Sequence, residues 1–219
     1  TDNKAMLAAL KAEPKKFRGV AVIPTNPNTL SDKELEQLNI AGVRGIRLNL
    51  AGISHAIPEW TRAHTIWETL HALGWHLQVH TDPGGLPQVL AQLPSDMPVV
   101  VDHMAKPLAA RADDPSFVAL VRRAKTSAAY VKLSGAYRLG AVNAAVAAQV
   151  WLHELGPAAL LWGSDWPCTN HEQCADFPSL MAQAHEWVDA RDFEQVMVRN
   201  PLRLYWGIQD GALDHNRGS

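Results

Sequence analysis

Long apolar runs, a surplus of one charge and a cysteine framework are all missing from this chain of 219 residues. Without a long uncharged apolar run, no membrane span is expected. Twenty Lys and Arg against 22 Asp and Glu leave a net charge of −2. That balance gives neither the basic footprint of a nucleic-acid binder nor a polybasic patch for a membrane surface. Two cysteines, Cys168 and Cys174, are too few for a disulfide scaffold and suit a reducing compartment, which predicts a cytoplasmic protein. No secretory signal opens the chain, since Thr1 to Lys16 mixes charged and apolar residues. An initiator Met is absent, and further chain upstream is expected. A hydrophobic fraction of 47% excludes disorder and is enough for one substantial core.

What is present is a regular alternation. Short apolar runs rich in β-branched residues occur at Arg18 to Ile23, Val43 to Leu48, Trp75 to Val79, Val99 to Val101, Tyr130 to Leu133 and Leu160 to Trp162. Amphipathic stretches separate them, at Ser31 to Ala41, Pro58 to Leu73, Leu86 to Leu93, Pro115 to Lys125 and Ala141 to Leu155. Ser31 with Glu34 reads as a capping box, Pro58 suits a first helical turn, and Gly74 and Gly156 sit where C-terminal caps belong. Strands alternating with helices predict parallel βαβ units, and strand runs this apolar predict burial on both faces. No linker or low-complexity tract divides the chain, so one domain over 1–219 is expected.

Two α/β architectures compete. An open nucleotide-binding sheet carries a glycine-rich phosphate loop after its first strand, and none is present, because Gly84-Gly85 lacks the rest of the pattern. A (β/α) barrel instead places polar side chains at the C-terminal ends of many strands, where the active site is built. Five strands here end that way, with Arg47 and Asn49; His80 and Thr81; Asp102, His103 and Lys106; Ser134, Tyr137 and Arg138; and Ser164 and Asp165. Their convergence on one mouth predicts a pocket.

Plainer roles compete at several of these positions. His103 follows three valines at a strand exit, which favours a site role over a core histidine. Asp165 could cap a turn, yet its place after an apolar strand in Gly-Ser-Asp-Trp-Pro favours catalysis. Arg47 and Arg138 could be structural ion pairs with Asp102 and Asp165; an anionic substrate is the reading preferred here. His80 stands evenly between both roles. His64, His71, His76 and His185 are expected as surface or packing residues, and Trp162, Trp166 and Trp206 as packing. Cys168 and Cys174, with His171 between them, lack the spacing and the fourth donor of a zinc site.

Taken together and in order, GVRGIRLNL (Gly42 to Leu50), VVVDHMAKP (Val99 to Pro107), YVKLSGAYR (Tyr130 to Arg138), LLWGSDWP (Leu160 to Pro167) and NPLRLYWG (Asn200 to Gly207) resemble the amidohydrolase-related TIM barrels. That group includes 2-pyrone-4,6-dicarboxylate lactonase and sugar-lactone hydrolases, and the likeness runs from Thr1 to about Gly207. It implies a (β/α)8 fold and a hydrolase opening a carboxylated lactone, of a dicarboxylate or a sugar acid. It also implies that Asp165 is the general base, that His103 polarises the scissile carbonyl, and that Arg47 and Arg138 grip substrate carboxylates. Asn49, His80 and Tyr137 would complete the substrate contacts; His80 stands where the dicarboxylate lactonase carries a tyrosine.

Related families bind zinc or manganese through a His-x-His pair, a strand-end histidine and the aspartate, while the dicarboxylate lactonase resembles them without a metal. No His-x-His occurs in this sequence. The cofactor expectation therefore stands between none and one divalent ion on His103 and Asp165, with His80 a third donor. The six strands correspond to the third to eighth of the barrel, so a partial barrel of about six βα units is expected. At about 36 residues per unit, eight units need roughly 250 or more residues. A six-strand arc leaves two sheet edges open. The expected partner is a small anionic lactone, with neither nucleic acid nor membrane, and a homo-oligomer stays open. A metal-dependent amidohydrolase or decarboxylase on the same scaffold, and an inactive truncated remnant, are the alternatives.

Overall fold

The β-branched runs fold as strands, and their pairing decides between the two architectures. A computed structural model describes residues 2–23, 30–53, 64–173 and 175–209. The strands are β1 (Gly19–Val22), β2 (Val43–Asn49), β3 (His76–His80), β4 (Val99–Val101), β5 (Ala129–Leu133) and β6 (Leu160–Trp162), in one sheet whose spatial order is the sequence order. Every pairing is parallel. A doubly wound sheet reverses its order at a switch point, whereas a barrel wall runs straight through; this sheet is six consecutive staves of a barrel. Among the described residues, β1 and β6 each pair with a single neighbour.

Helices α1 (Lys4–Ala12), α2 (Asp32–Ile40), α3 (His64–Ala72), α4 (Leu86–Leu90), α5 (Pro115–Arg123), α6 (Ala144–Leu155), α7 (Phe177–Trp187) and α8 (Ala190–Glu194) accompany the strands. Ser31 and Glu34 close the expected capping box on α2, and Gly74 and Gly156 take positive φ after α3 and α6. The helix expected from Pro58 is described only from His64, and its start lies outside the described residues, as do the His64 side chain and Cys174. After α8 the chain winds into π-helical turns at Gln195–Arg199 and Leu202–Trp206. Asn200, fully buried between them, donates to the carbonyls of Pro157 and Leu160 at 2.7 Å each. That amide ties the C-terminal segment to β6. No helix among the described residues is long and apolar enough to cross a membrane.

The strands are less uniform than their apolar appearance suggests. Successive side chains alternate across a sheet. One face carries Ile46, Leu48, Leu77, Val79, Val99, Val101, Val131, Leu133 and Leu160, all buried in the main core with the helices. The other carries Arg47 opposite Gln78, Gln78 opposite Val100, Asn49 opposite His80, and Lys132 opposite Leu161. Val100, Tyr130 and Leu161 form a separate small cluster there. The inner face is thus apolar at a few positions and polar towards the mouth, a distinction invisible where both faces read as buried.

Candidate active site

Three side chains meet beneath the mouth around one carboxylate. Asp102, one residue past β4, is 4% exposed. It receives Arg47 Nη1 at 3.1 Å, Lys132 Nζ at 3.2 Å and the Gln78 amide at 3.0 and 3.1 Å. Burial alone would raise its pKa, but Lys132, Arg47, His103 and the Gln78 hydrogen bond outweigh that and hold it below the usual carboxylate value. The hub joins β2, β3 and β5 to the end of β4.

Arg47 Nη2 lies 3.2 Å from His80 Nδ1, which is also 2.9 Å from the Asn49 amide. The guanidinium can only donate and the Asn49 Oδ1 only accept, so the tautomer of His80 decides which of the two Nδ1 serves. Burial first, then the charges of Lys106, His103 and Arg47, lower the His80 pKa to about 3.

Beyond Asp102 the backbone makes an unusual turn. His103, Met104, Ala105 and Lys106 all have positive φ, between 41° and 66°. Each left-handed L-residue costs roughly 1–2 kcal/mol, and strain of this kind gathers at functional sites. The turn is held from several sides: Ala105 N–H donates to the Asp102 carbonyl and Lys106 N–H to that of His103, at 3.0 Å each. Trp151 Nε1 donates to the Met104 carbonyl at 3.0 Å, and Gly84 N–H to that of Lys106 at 2.9 Å. The result folds the His103 ring back over the mouth, where Nδ1 lies 3.2 Å from Ser134 Oγ. Gly135 permits this approach, because a Cβ there would sit 2.6 Å from His103 Nδ1.

Asp165 stands in the turn after β6, itself at φ 58°. Its Oδ2 accepts from the Tyr137 hydroxyl at 2.9 Å and from Arg138 Nε at 2.5 Å. Arg138 also donates to the Thr169 carbonyl at 3.0 Å. Oδ1 faces His103 Nε2 at 3.8 Å, beyond a direct hydrogen bond. Burial lowers the His103 pKa to about 4 against the opposing pull of Asp102 and Asp165, so its imidazole is neutral at pH 7. A carboxylate facing Nε2 favours the proton on that nitrogen, and the Ser134 hydroxyl then donates to Nδ1. Burial, with hydrogen bonds to Cys168 and Asp165, raises the Tyr137 pKa; the phenol stays protonated and can donate.

The fold therefore gathers every residue singled out for the site: His103, Asp165, Tyr137 and Arg138 on one side of the mouth, and Arg47, Asn49 and His80 on the other. The His80 and His103 rings meet edge to face with centroids 4.9 Å apart. Arg47 and Arg138 are each engaged by a carboxylate of the protein. Gln78 and Lys132 escaped the sequence reading because they lie inside strands; their signal was a polar residue at alternate positions of an apolar run. Trp166, expected to pack, is 84% exposed. Trp162 meets Phe177 edge to face, and Arg18 lies over the Trp206 ring.

A divalent ion needs three or more converging donors. Among the described residues no three His, Cys, Asp or Glu side chains form such a group. Of the donors expected for an ion, His103 Nε2 and Asp165 Oδ1 stand 3.8 Å apart, and Arg138 already holds the other oxygen of that carboxylate.

Comparison with known proteins agrees with this architecture. The amidohydrolase family model matches residues 1–206, and the chain belongs to that family of enzymes. A protein from Comamonas testosteroni named 2-pyrone-4,6-dicarboxylate hydrolase is 31% identical over 227 residues, covering 94% of this chain and 72% of that protein. A 4-sulfomuconolactone hydrolase from Rhizobium radiobacter is 27% identical, covering 93% of this chain and 71% of its own length. Among solved structures, one called a probable 2-pyrone-4,6-dicarboxylic acid hydrolase from Acinetobacter baumannii, with citric acid bound, superposes with a TM-score of 0.80 at 28% identity, over 94% of this chain and 79% of that one.

Proposed function

We propose that this site hydrolyses the ring ester of a carboxylated lactone. The observation that carries the reading is the Asp165 carboxylate, with one oxygen clamped by Tyr137 and Arg138 and the other facing the neutral His103 imidazole at 3.8 Å. The clamp fixes the carboxylate's orientation and leaves Oδ1 to bind a water. A lactone carbonyl set over the pair presents its oxygen to His103 Nε2–H and its carbon to that water. The water attacks while Asp165 Oδ1 takes its proton, and Nε2–H stabilises the oxyanion. Collapse breaks the carbon–oxygen bond of the ring, and Asp165 returns the proton to the departing oxygen. The product is the open hydroxy acid or, from an enol lactone, the enol acid that tautomerises to the keto acid.

Relatives named for hydrolysis of a pyrone dicarboxylate and of a sulfomuconolactone support an anionic lactone as substrate, and a solved relative that holds citric acid supports a polycarboxylate pocket. Arg47 and Arg138 retain donors beyond those given to Asp102 and Asp165, and with Asn49, His80 and Tyr137 they would orient the substrate within attack distance. Two cysteines and no membrane-spanning helix among the described residues fit a cytoplasmic enzyme.

The test is Asp165→Asn assayed on 2-pyrone-4,6-dicarboxylate and a panel of sugar-acid lactones. The expected result is a fall in kcat of about a thousandfold, within the span of general-base contributions, with substrate binding still measurable. A variant that keeps its turnover number overturns the assignment.

A further inference from the structure

Of the described cations around this mouth, Lys106 is the one without an ion pair to a described carboxylate. Arg47 and Lys132 are paired with Asp102, and Arg138 with Asp165. Lys106 forms no ion pair with any described residue, yet it is only 8% exposed. Its ammonium acts on His80 more strongly than Arg47 does, and it lies within electrostatic range of Asp102, Arg47 and Arg138. The charge therefore sits among the site residues rather than on an outer surface.

A lysine withdrawn from water and given no partner is unfavourable. The left-handed turn makes this placement deliberate in structural terms. Lys106 ends the strained run that begins at His103 (φ 41° at Lys106), and its carbonyl is pinned by Gly84 N–H at 2.9 Å. The same turn that aims the imidazole also carries this lysine, whose charge acts on His80. Charge counting gives the reason. Four cations, Arg47, Lys106, Lys132 and Arg138, surround two carboxylates, Asp102 and Asp165, and the nearby histidines are neutral. Asp82, the first acid to act on Lys106, lies on the neighbouring loop, where its carboxylate accepts Gly52 N–H at 3.0 Å. Even with Asp82 included, the described residues leave the mouth positive. At Arg47 and Arg138 a substrate carboxylate shares the cation with the protein's own acids; at Lys106 it meets no such competitor in an ion pair among the described residues.

We infer that Lys106 is a specificity-determining residue that receives the second carboxylate of a doubly charged substrate. This rests on the lactone-hydrolase reading for its biological meaning, but binding alone can test it. Isophthalate and benzoate, flat rings with two carboxylates and with one, serve as probes in calorimetric titrations of the wild-type chain, Lys106→Met and Lys106→Arg. The methionine keeps the length and the left-handed backbone while removing the charge. Expected is a loss of isophthalate affinity of about tenfold or more in Lys106→Met, a loss of benzoate affinity of at most about threefold, and recovery of most of the isophthalate affinity in Lys106→Arg. The thermal midpoint of Lys106→Met should equal or exceed that of the wild type, because an unpaired buried charge has gone. Equal losses for the two acids, no loss for either, or a lowered midpoint in Lys106→Met overturns the inference. Turnover of the lactone panel by the wild-type chain judges the hydrolase reading separately. If no lactone is opened, that reading falls, while the isophthalate-to-benzoate ratio still decides the role of Lys106.

Discussion

Arg138 shows how one side chain changes meaning once its neighbours are placed. A guanidinium at a barrel rim suggests a grip on substrate, and its planar fork suits a carboxylate. In the fold that fork spans Asp165 Oδ2 and the Thr169 carbonyl, so it also orients the proposed base. Arg138→Lys keeps the charge but cannot bridge both acceptors. It should lower kcat as well as raise KM for carboxylated lactones, by about ten- to hundredfold in kcat/KM, read from steady-state kinetics. A change confined to KM would leave Arg138 a substrate contact alone. Gln78 and Lys132 carry the complementary lesson: their chemistry lies in the shared carboxylate of Asp102, a partner that chain spacing does not announce.

At the scale of elements, the decisive piece is the left-handed turn His103–Lys106 packed against the loop after β5. Gly135 holds φ at +59°, and a Cβ there would fall 2.6 Å from His103 Nδ1 and 3.2 Å from Arg138 Cδ. Gly135→Ala therefore combines backbone strain with displacement of the imidazole. Its expected cost is about 1–3 kcal/mol of stability by urea unfolding, together with a fall in kcat larger than any change in binding. Full activity in that variant would show that the turn tolerates a shifted ring. The capping box on α2 and the glycine caps after α3 and α6 were readable beforehand because such signals are local. The turn was not readable, since Asp-His-Met-Ala-Lys contains no glycine to advertise four positive φ angles.

At the scale of the whole molecule, buried histidines couple stability to pH. Burial, with the charge of Lys132, lowers the His76 pKa to about 3, and burial lowers that of His103 to about 4. In the unfolded chain both titrate near 6.5. Above that value both states are neutral and these groups have no effect. Below it the unfolded chain binds protons that the fold refuses, so stability falls as pH drops from about 6.5 towards 4. Each histidine contributes a slope of up to about 1.4 kcal/mol per pH unit. Urea midpoints measured from pH 7 to pH 4.5 should decline steadily, and His76→Phe should flatten the decline. A midpoint independent of pH over that range would mean that these imidazoles gain protons within the fold. Among the described residues β1 and β6 each have one neighbour, and a strand edge left unpaired templates association.

The alternation of strands and helices, the polar residues at strand ends and the motif order were local properties, and from them the sequence alone determined a parallel barrel wall and its family. They also placed His103, Asp165, Arg47, Arg138, Asn49, His80 and Tyr137 at one mouth, because in a parallel sheet every strand ends on the same side. Only the tertiary structure decided which charge meets which: Arg47 and Lys132 on Asp102, Arg138 and Tyr137 on Asp165, and Lys106 left without a carboxylate partner among the described residues. Those pairings depend on the stagger of neighbouring strands and on a left-handed turn that no residue pattern encodes. They arise from distances across the barrel, and linear spacing carries no information about those distances.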